Sequence, residues 1–125
     1  MTDTMANIAV LGASDNPSRY SYIALKELLK RGYKNLFPIH PKKTEISGLQ
    51  VYSKVHSLPV RLHTASLYMG PSRFSTVIDE VIDAKPRRVI FNPGTENPEF
   101  YQLLKAHHIA FEVACTLVLL STNQY

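Results

Sequence analysis

Short apolar runs recur along the chain, and most of them are separated by segments with a helical period. Five runs have the length of a fully buried strand and are bounded by turn residues: Asn7–Leu11, Asn35–His40, Thr64–Met69, Arg87–Asn92 and Ile109–Ala114. Strands that alternate with helices pair in parallel through right-handed crossovers, with helices on both faces of the sheet. The pattern therefore predicts an α/β fold with a doubly wound sheet of five parallel strands.

Three helices are predicted between these strands. The first covers Arg19–Arg31 and stops at Gly32, which accepts a left-handed backbone. The second takes Ser72 as its N-cap, and the third takes Asn97 as its N-cap with Pro98 at the first helical position. The apolar positions expected to be buried are Ile23, Ala24, Leu25, Leu28, Leu29, Phe74, Val77, Ile78, Val81, Ile82, Phe100, Leu103 and Leu104.

Two segments have no clear period. Thr44–His63 is predicted to be mainly loop, with a short helical turn near Ser53–Ser57. The apolar segment Thr116–Leu120 covers either the sheet edge of its own domain or that of a neighbouring subunit, so the sequence leaves a homo-oligomer or an unknown protein partner open.

Composition narrows the class of protein. A length of 125 residues, with 45% hydrophobic and 19% charged residues, predicts one domain spanning 1–125. The longest uncharged apolar stretch, Val113–Leu120, is too short to cross a membrane. The fourteen Lys and Arg residues are scattered despite a net charge of +4, so a nucleic-acid surface is not expected. A single cysteine and the absence of a secretory pattern favour the cytoplasm.

In a doubly wound sheet, ligands bind beyond the carboxyl ends of the strands, so the loops that follow the strands are the candidate binding loops. The first loop, Gly12-Ala13-Ser14, lies between an apolar strand and a helix that begins near Arg19. Backbone N–H groups at such a helix start favour a phosphate, and Arg19 adds a cation. The loop lacks the G-x-G-x-x-G pattern of nicotinamide dehydrogenases. The alternative is an ordinary turn with a surface arginine.

The second loop, His40-Pro41-Lys42-Lys43, carries two cations where nicotinamide proteins usually place an acid that binds ribose. Such a loop suits a ribose that bears a phosphate, with Lys42 and Lys43 as point charges and Pro41 as a wall against a purine ring. The alternative is a solvated lysine pair in a turn.

The third and fourth loops, Met69-Gly70-Pro71 and Asn92-Pro93-Gly94, are turns of mostly small residues that lead into helices. Such turns let a ligand approach the backbone closely, although Gly and Pro are also common where strands simply end. Four loops of this kind at one sheet edge support a binding site more strongly than any one of them.

Several of these segments together resemble the small stand-alone CoA-binding proteins, a family similar to the CoA-binding Rossmann-like domain of the succinyl-CoA synthetase alpha subunit. The segments are Val10–Ser14, Arg19–Tyr22, Gly32-Tyr33, Phe37–Lys42, Ile46–Gly48, Asn92–Gly94 and the last strand up to Cys115. The resemblance implies a Rossmann-like fold that binds coenzyme A or an acyl-CoA. It implies the CoA pyrophosphate at Gly12–Ser14 near Arg19, and the adenosine with its 3′-phosphate beside Pro41 and Lys42. The pantetheine arm then passes Met69–Pro71 toward Asn92–Gly94.

No catalytic residue or metal site is predicted. Cys115 is interpreted as an inert core residue, with a mixed disulfide to a CoA thiol as the alternative, and the histidines lack metal-ligand spacing. The chain is therefore expected to be a non-catalytic module that binds a small nucleotide ligand. Two alternatives remain at this point. One is an NAD(P)-binding oxidoreductase with an atypical phosphate loop, and the other is a non-binding interaction subunit.

Overall fold

The computed structural model describes residues 4–70 and 77–125, in which five parallel strands form the central sheet. In chain order the strands are β1 Ile8–Leu11, β2 Leu36–Ile39, β3 Glu45–Ile46, β4 Leu49–Gln50, β5 Thr64–Leu67, β6 Arg88–Phe91 and β7 Ala110–Val113. The central sheet has the order β2-β1-β5-β6-β7, whereas β3 and β4 form a separate hairpin. The predicted doubly wound α/β fold is confirmed, and each of the five predicted strands lies within two residues of its predicted bounds.

The helices are α1 Tyr20–Lys30, α2 Ile78–Ala84, α3 Pro98–Ala106 and α4 Thr116–Ser121, with a short 3-10 helix at Val55–Ser57. As predicted, Gly32 follows the first helix with a positive φ of 93°. The predicted cap of the third helix is also confirmed, because the Asn97 side chain accepts a hydrogen bond from Phe100 N at 3.3 Å. Pro71, Ser72 and Phe74, named above for the third loop and the second helix, lie outside the described residues.

Each face of the sheet carries its own core. Ala9 and Leu11 of β1 point to the face covered by α2 and α3, whereas Ile8 and Val10 point to the face covered by α1 and α4. The alternation follows from the two-residue period of a strand. Burial on both faces explains why β1 reads as a continuous apolar run rather than an alternating one.

Among the described residues, two that were predicted to be buried are exposed. Ile23 keeps 37% of its surface and Leu103 keeps 42%. The buried stripe of α1 follows 21, 24, 25 and 28, and Ile23 lies on the opposite side of the helix. Leu103 lies beside the narrow buried stripe formed by Phe100 and Leu104.

The segment predicted as loop between β2 and β5 contains the β3–β4 hairpin, which the prediction missed. Its turn residues Ser47 and Gly48 both have positive φ, at 53° and 79°. This is the backbone pattern of the two-residue turns that fit the twist of a hairpin. The strands have two residues each, so no alternation of apolar and polar positions was available to reveal them.

The apolar segment after β7 folds back onto its own domain as α4. Leu119 and Leu120 are buried, and Arg31 Nη1 donates to Leu120 O at 2.7 Å, which ties α4 to the end of α1. Leu120 belongs to the core on the α1 face, so this segment covers a face of its own domain's sheet rather than the predicted sheet edge. Within residues 4–70 and 77–125, no helix is long and apolar enough to span a membrane.

Candidate functional site

The loops after β1 and β5 meet where the strand order reverses, which is the usual position of a ligand crevice in this architecture. Gly12 ends β1 with a φ of +86°, and a Cβ added there would lie 2.8 Å from Met69 Cγ and 3.1 Å from the Tyr68 carbonyl carbon. Tyr68 N also donates to Leu11 O at 2.9 Å. Gly12 is therefore required both for its backbone conformation and for the close approach of the two loops.

The first loop is held in shape by its own hydrogen bonds. Ser14 Oγ accepts from Asn16 N at 3.0 Å, and Asn16 Oδ1 accepts from the backbone N and the hydroxyl of Ser18 at 3.0 and 2.8 Å. Ala13 N donates to Ile39 O at 3.2 Å, which ties the loop to β2. As an acceptor in its bond, the Ser14 hydroxyl keeps its own hydrogen as a donor.

The start of α1 differs from the start of α3. Arg19 is the N-cap of α1, makes no side-chain cap bond, and is followed by a first turn without Asp or Glu. In α3, the Asn97 side chain caps the helix and Glu99 stands in the first turn. The first-turn N–H groups of α1 and the helix dipole therefore suit an external anion, whereas α3 supplies its own partners.

The second loop is organised by His40. Its Nδ1 atom accepts from Lys42 N at 3.0 Å and from Lys43 N at 3.1 Å, and its own backbone N donates to Tyr52 O at 3.0 Å. The ring is half-buried, whereas Pro41 and both lysines are exposed. The predicted cations are therefore presented by a hydrogen-bonded turn rather than by a loose loop.

The two adjacent lysines have different surroundings. Lys43 Nζ lies 2.9 Å from Asp15 Oδ2, an ion pair that joins the second loop to the first. The hydrogen bond from Lys43 lowers the pKa of the Asp15 carboxyl below its ordinary value. Lys42 belongs to none of the ion pairs found in the described part of the chain. Asp15 was not predicted as a site residue, although an acid next to a predicted phosphate loop could have indicated a partner for one lysine of the pair.

In the third loop, Met69 and Gly70 are half-buried, and Pro71 lies outside the described residues. Among the described residues, a Cβ built on Gly70 meets no atom within 4 Å, so on that side the backbone borders open space. Met69 packs against the core on the α2 and α3 face. The described part of this loop therefore offers an apolar wall and an open backbone.

In the fourth loop, the Asn92 side chain is turned into the protein. Its Nδ2 donates to Ser66 Oγ at 3.0 Å and to Leu67 O at 2.9 Å, while its Oδ1 accepts from Thr116 N at 2.9 Å. Both amide hydrogens are thus bonded within the protein. Asn92 joins β5, β6 and the start of α4, and its side chain is committed to this bracing rather than to the loop surface.

The rest of this loop is also internally bonded. Gly94 N donates to Glu96 Oε1 at 2.9 Å, and Thr95 Oγ1 donates to Asn92 O at 2.7 Å. Pro93 and Gly94 are exposed. Because a carboxylate already occupies the Gly94 N–H, this end of the sheet edge suits an uncharged group better than a phosphate.

A buried polar cluster that was not predicted from the sequence adjoins Asn92. Ser66 Oγ and Thr116 Oγ1 lie 3.2 Å apart. Burial raises the pKa of Tyr68 to about 12, against the lowering effect of the Thr116 and Ser66 hydroxyls. Ser66 is a polar residue inside an otherwise apolar strand, and this was the one feature of the sequence that could have indicated the cluster.

Cys115 is only half-buried, contrary to its interpretation as a core residue. Cys115 is the N-cap of α4 and follows β7. Because β7 is the edge strand of the described sheet, Cys115 has no neighbouring strand on its outer side. Within the described ranges, no three His, Cys, Asp or Glu side chains gather in a way that could hold a metal ion.

Comparison with known proteins gives a family match over almost the whole chain. A family described as a CoA binding domain matches residues 6–121. A solved structure known only as an uncharacterized protein is 32% identical, with a TM-score of 0.89, and the match covers 98% of this chain and 100% of that chain.

Two curated proteins are also similar. The uncharacterized protein YneT of Bacillus subtilis is 26% identical over 78% of this chain and 72% of its own length. The alpha subunit of acetate–CoA ligase (ADP-forming) II from Pyrococcus furiosus is 28% identical over 54% of this chain. The matched segment spans only 14% of that subunit, so the likeness concerns one part of a much longer protein.

Proposed function

Because the chain belongs to the CoA-binding domain family, we propose that it binds coenzyme A or an acyl-CoA at the carboxyl edge of its sheet, without catalysing a reaction. The observation that carries this proposal is the junction of the first two loops. The Gly12 turn, the start of α1 and the lysine turn are joined there by the ion pair between Lys43 and Asp15. The junction brings backbone donors and cations together, as a ligand with several phosphates requires.

The pyrophosphate is assigned to the first loop. Gly12, Ala13 and Ser14 lead toward the first turn of α1, where N–H groups and the helix dipole favour an anion. Arg19 is exposed at the N-cap and lacks a capping role of its own, so its guanidinium is available for a charge-assisted bond. The same features would also suit other nucleotides that carry a phosphate. The second loop is what favours CoA among these ligands.

The adenosine and its 3′-phosphate are assigned to the second loop. Lys43 is engaged by Asp15, so Lys42 is the cation that we assign to the 3′-phosphate. Pro41 is exposed beside it and provides a wall for the adenine ring. His40 is assigned to the support of this turn, because its ring nitrogen is bonded to the turn backbone.

The pantetheine arm is assigned to the third and fourth loops. Met69 offers an apolar wall, and Gly70 borders open space. Pro93 and Gly94 are exposed at the next strand, where Glu96 holds the Gly94 N–H and disfavours a second anion. This distribution matches a ligand that is charged at its nucleotide end and uncharged along its arm.

A single domain and a cytoplasmic location remain part of the proposal. The cytoplasmic location is supported by the presence of a single cysteine, Cys115.

Isothermal titration with CoA, dephospho-CoA, NAD and NADP tests the proposal. We expect CoA to bind more tightly than dephospho-CoA by about 1–3 kcal/mol, by analogy with other charge-assisted hydrogen bonds. Arg19→Ala is expected to weaken the binding of both CoA and dephospho-CoA. Arg61→Ala is a matched control that should leave both affinities unchanged, because Arg61 is an exposed arginine that precedes β5 at the opposite edge of the sheet. Preferential binding of NADP would favour the oxidoreductase alternative. Weak and equal heats for all four ligands would contradict a nucleotide site.

A further inference from the structure

His40 contacts the backbone of the residues that follow it in a pattern usually made by asparagine or aspartate. The side-chain acceptor of residue 40 binds the backbone N–H groups of residues 42 and 43, at 3.0 and 3.1 Å. Asn and Asp stabilise turns in this way through their Oδ1 atoms. In histidine, Nδ1 occupies the corresponding position on the side chain, so the imidazole can replace the amide as a turn acceptor.

The geometry also fixes the tautomer of the ring. An Nδ1 atom that accepts two N–H groups carries no hydrogen, so the neutral ring has its proton on Nε2. Pro41, between the acceptor and the two donors, has no N–H group and a fixed φ. The Nδ1 atom therefore binds both of the backbone N–H groups that follow Pro41 in this turn.

Both ends of the turn are anchored, and Lys42 lies between the anchors. At one end His40 N donates to Tyr52 O at 3.0 Å, and at the other Lys43 Nζ meets Asp15 Oδ2 at 2.9 Å. Lys42 is exposed and takes part in none of the ion pairs of the described residues. An exposed lysine on a fixed backbone loses less entropy on binding than one on a mobile loop.

We propose that His40 is a positioning residue for the ligand's ribose phosphate: its Nδ1 atom fixes the turn from which Lys42 reaches that phosphate. This inference rests on the proposed function and adds to it a residue that determines specificity without touching the ligand. It assigns part of the preference for a phosphorylated ribose to a side chain that does not contact the phosphate.

The test compares CoA with dephospho-CoA on three proteins. His40→Phe keeps an aromatic ring but removes the acceptor, and His40→Asn restores an acceptor at the same position on the side chain. For the wild type, we expect CoA to bind about five- to 150-fold tighter than dephospho-CoA. In His40→Phe this ratio is expected to fall at least threefold with little change for dephospho-CoA, whereas His40→Asn should keep the ratio within about twofold of the wild type.

The outcomes separate this inference from the proposed function. If the wild type shows no preference for CoA, the phosphate assignment fails and the role of His40 fails with it. If the wild type prefers CoA and His40→Phe keeps the same ratio, only the positioning role is overturned, as it is if His40→Asn behaves like His40→Phe. Should His40→Phe unfold, His40→Ala replaces it, and amide hydrogen exchange at Lys42 and Lys43 provides a second readout. Faster exchange than in His40→Asn supports the role, and equal exchange overturns it.

Discussion

The ammonium group of Lys43 lies 2.9 Å from the carboxylate of Asp15, and this contact joins the loop after β2 to the loop after β1. The pair gives two neighbouring lysines different tasks. Lys43 holds the loops together and offsets the negative charge of Asp15 beside the first loop. In the proposed site, Lys42 is the lysine that we assign to the ligand. A sequence pattern of two adjacent cations has thus become one structural and one binding residue in our account.

Substitution of the two lysines should therefore have different effects. Lys42→Ala is expected to weaken CoA by about 1–3 kcal/mol and to leave dephospho-CoA nearly unchanged, because only CoA carries the 3′-phosphate. Lys43→Ala leaves Asp15 without its cation and should weaken both ligands to a similar extent. Calorimetry with the two ligands measures the difference. Equal selectivity in the two variants would count against the division of roles.

Gly12→Ala should both destabilise the protein and weaken CoA. An alanine at position 12 keeps the positive φ of +86°, and its Cβ meets Met69 Cγ at 2.8 Å and the Tyr68 carbonyl carbon at 3.1 Å. Gly48→Ala is a matched control, since its φ is also positive at +79° but no atom lies within 4 Å. We expect a loss of about 1 kcal/mol of unfolding free energy for Gly48→Ala and about 2–4 kcal/mol for Gly12→Ala. Similar losses in urea unfolding would show that close approach of the loops is not the constraint.

Asn92→Asp should destabilise the fold strongly. The substitution removes both hydrogens donated to Ser66 Oγ and Leu67 O, and turns buried oxygens toward one another. We expect a loss of about 3 kcal/mol of unfolding free energy at neutral pH. Asn97→Asp is the control, because aspartate caps a helix about as well as asparagine and should change stability little. A small effect of Asn92→Asp in thermal or urea unfolding would contradict its bracing role.

Alkaline pH should reveal the burial of Tyr68. Its pKa is raised to about 12 by burial, from an ordinary value near 10, so the folded protein holds the phenol proton more tightly than the unfolded chain. The stability due to this shift is complete below about pH 10 and is lost as the pH rises toward 12, at about 1.4 kcal/mol per pH unit.

Urea unfolding at several pH values, with Tyr68→Phe for comparison, measures this loss. Tyr68→Phe should lose less stability above pH 10 than the wild type. Tyr20→Phe should follow the wild type, because Tyr20 is exposed. Burial also raises the pKa of Tyr125, so some alkaline loss should remain in Tyr68→Phe. An identical pH profile for the wild type and Tyr68→Phe would contradict the assignment.

The sequence carried the main features of the fold because burial of parallel strands on both faces leaves long apolar runs, as in Ile8–Leu11. The β3–β4 hairpin was not predicted, because strands of two residues show no alternation of apolar and polar positions. Ser47-Gly48 was the one indication of a turn there. At the site, the positions of turns could be predicted from small residues, as at Gly12. The direction of a side chain could not, because the inward turn of Asn92 depends on Ser66 and Thr116, which are distant in sequence.

The most direct test of the central claim is to follow the amide NMR spectrum of the isotope-labelled protein during titration with CoA. The account predicts that the largest shifts occur at the carboxyl edge of the sheet and that the amino edge is little affected. The diagnostic amides are those of Gly12, Ser14, Lys42 and Gly70 at the carboxyl edge and those of Lys34, Arg87 and His108 at the amino edge. A spectrum unchanged at saturating CoA, or shifts confined to the amino edge, would contradict a CoA site built from these loops.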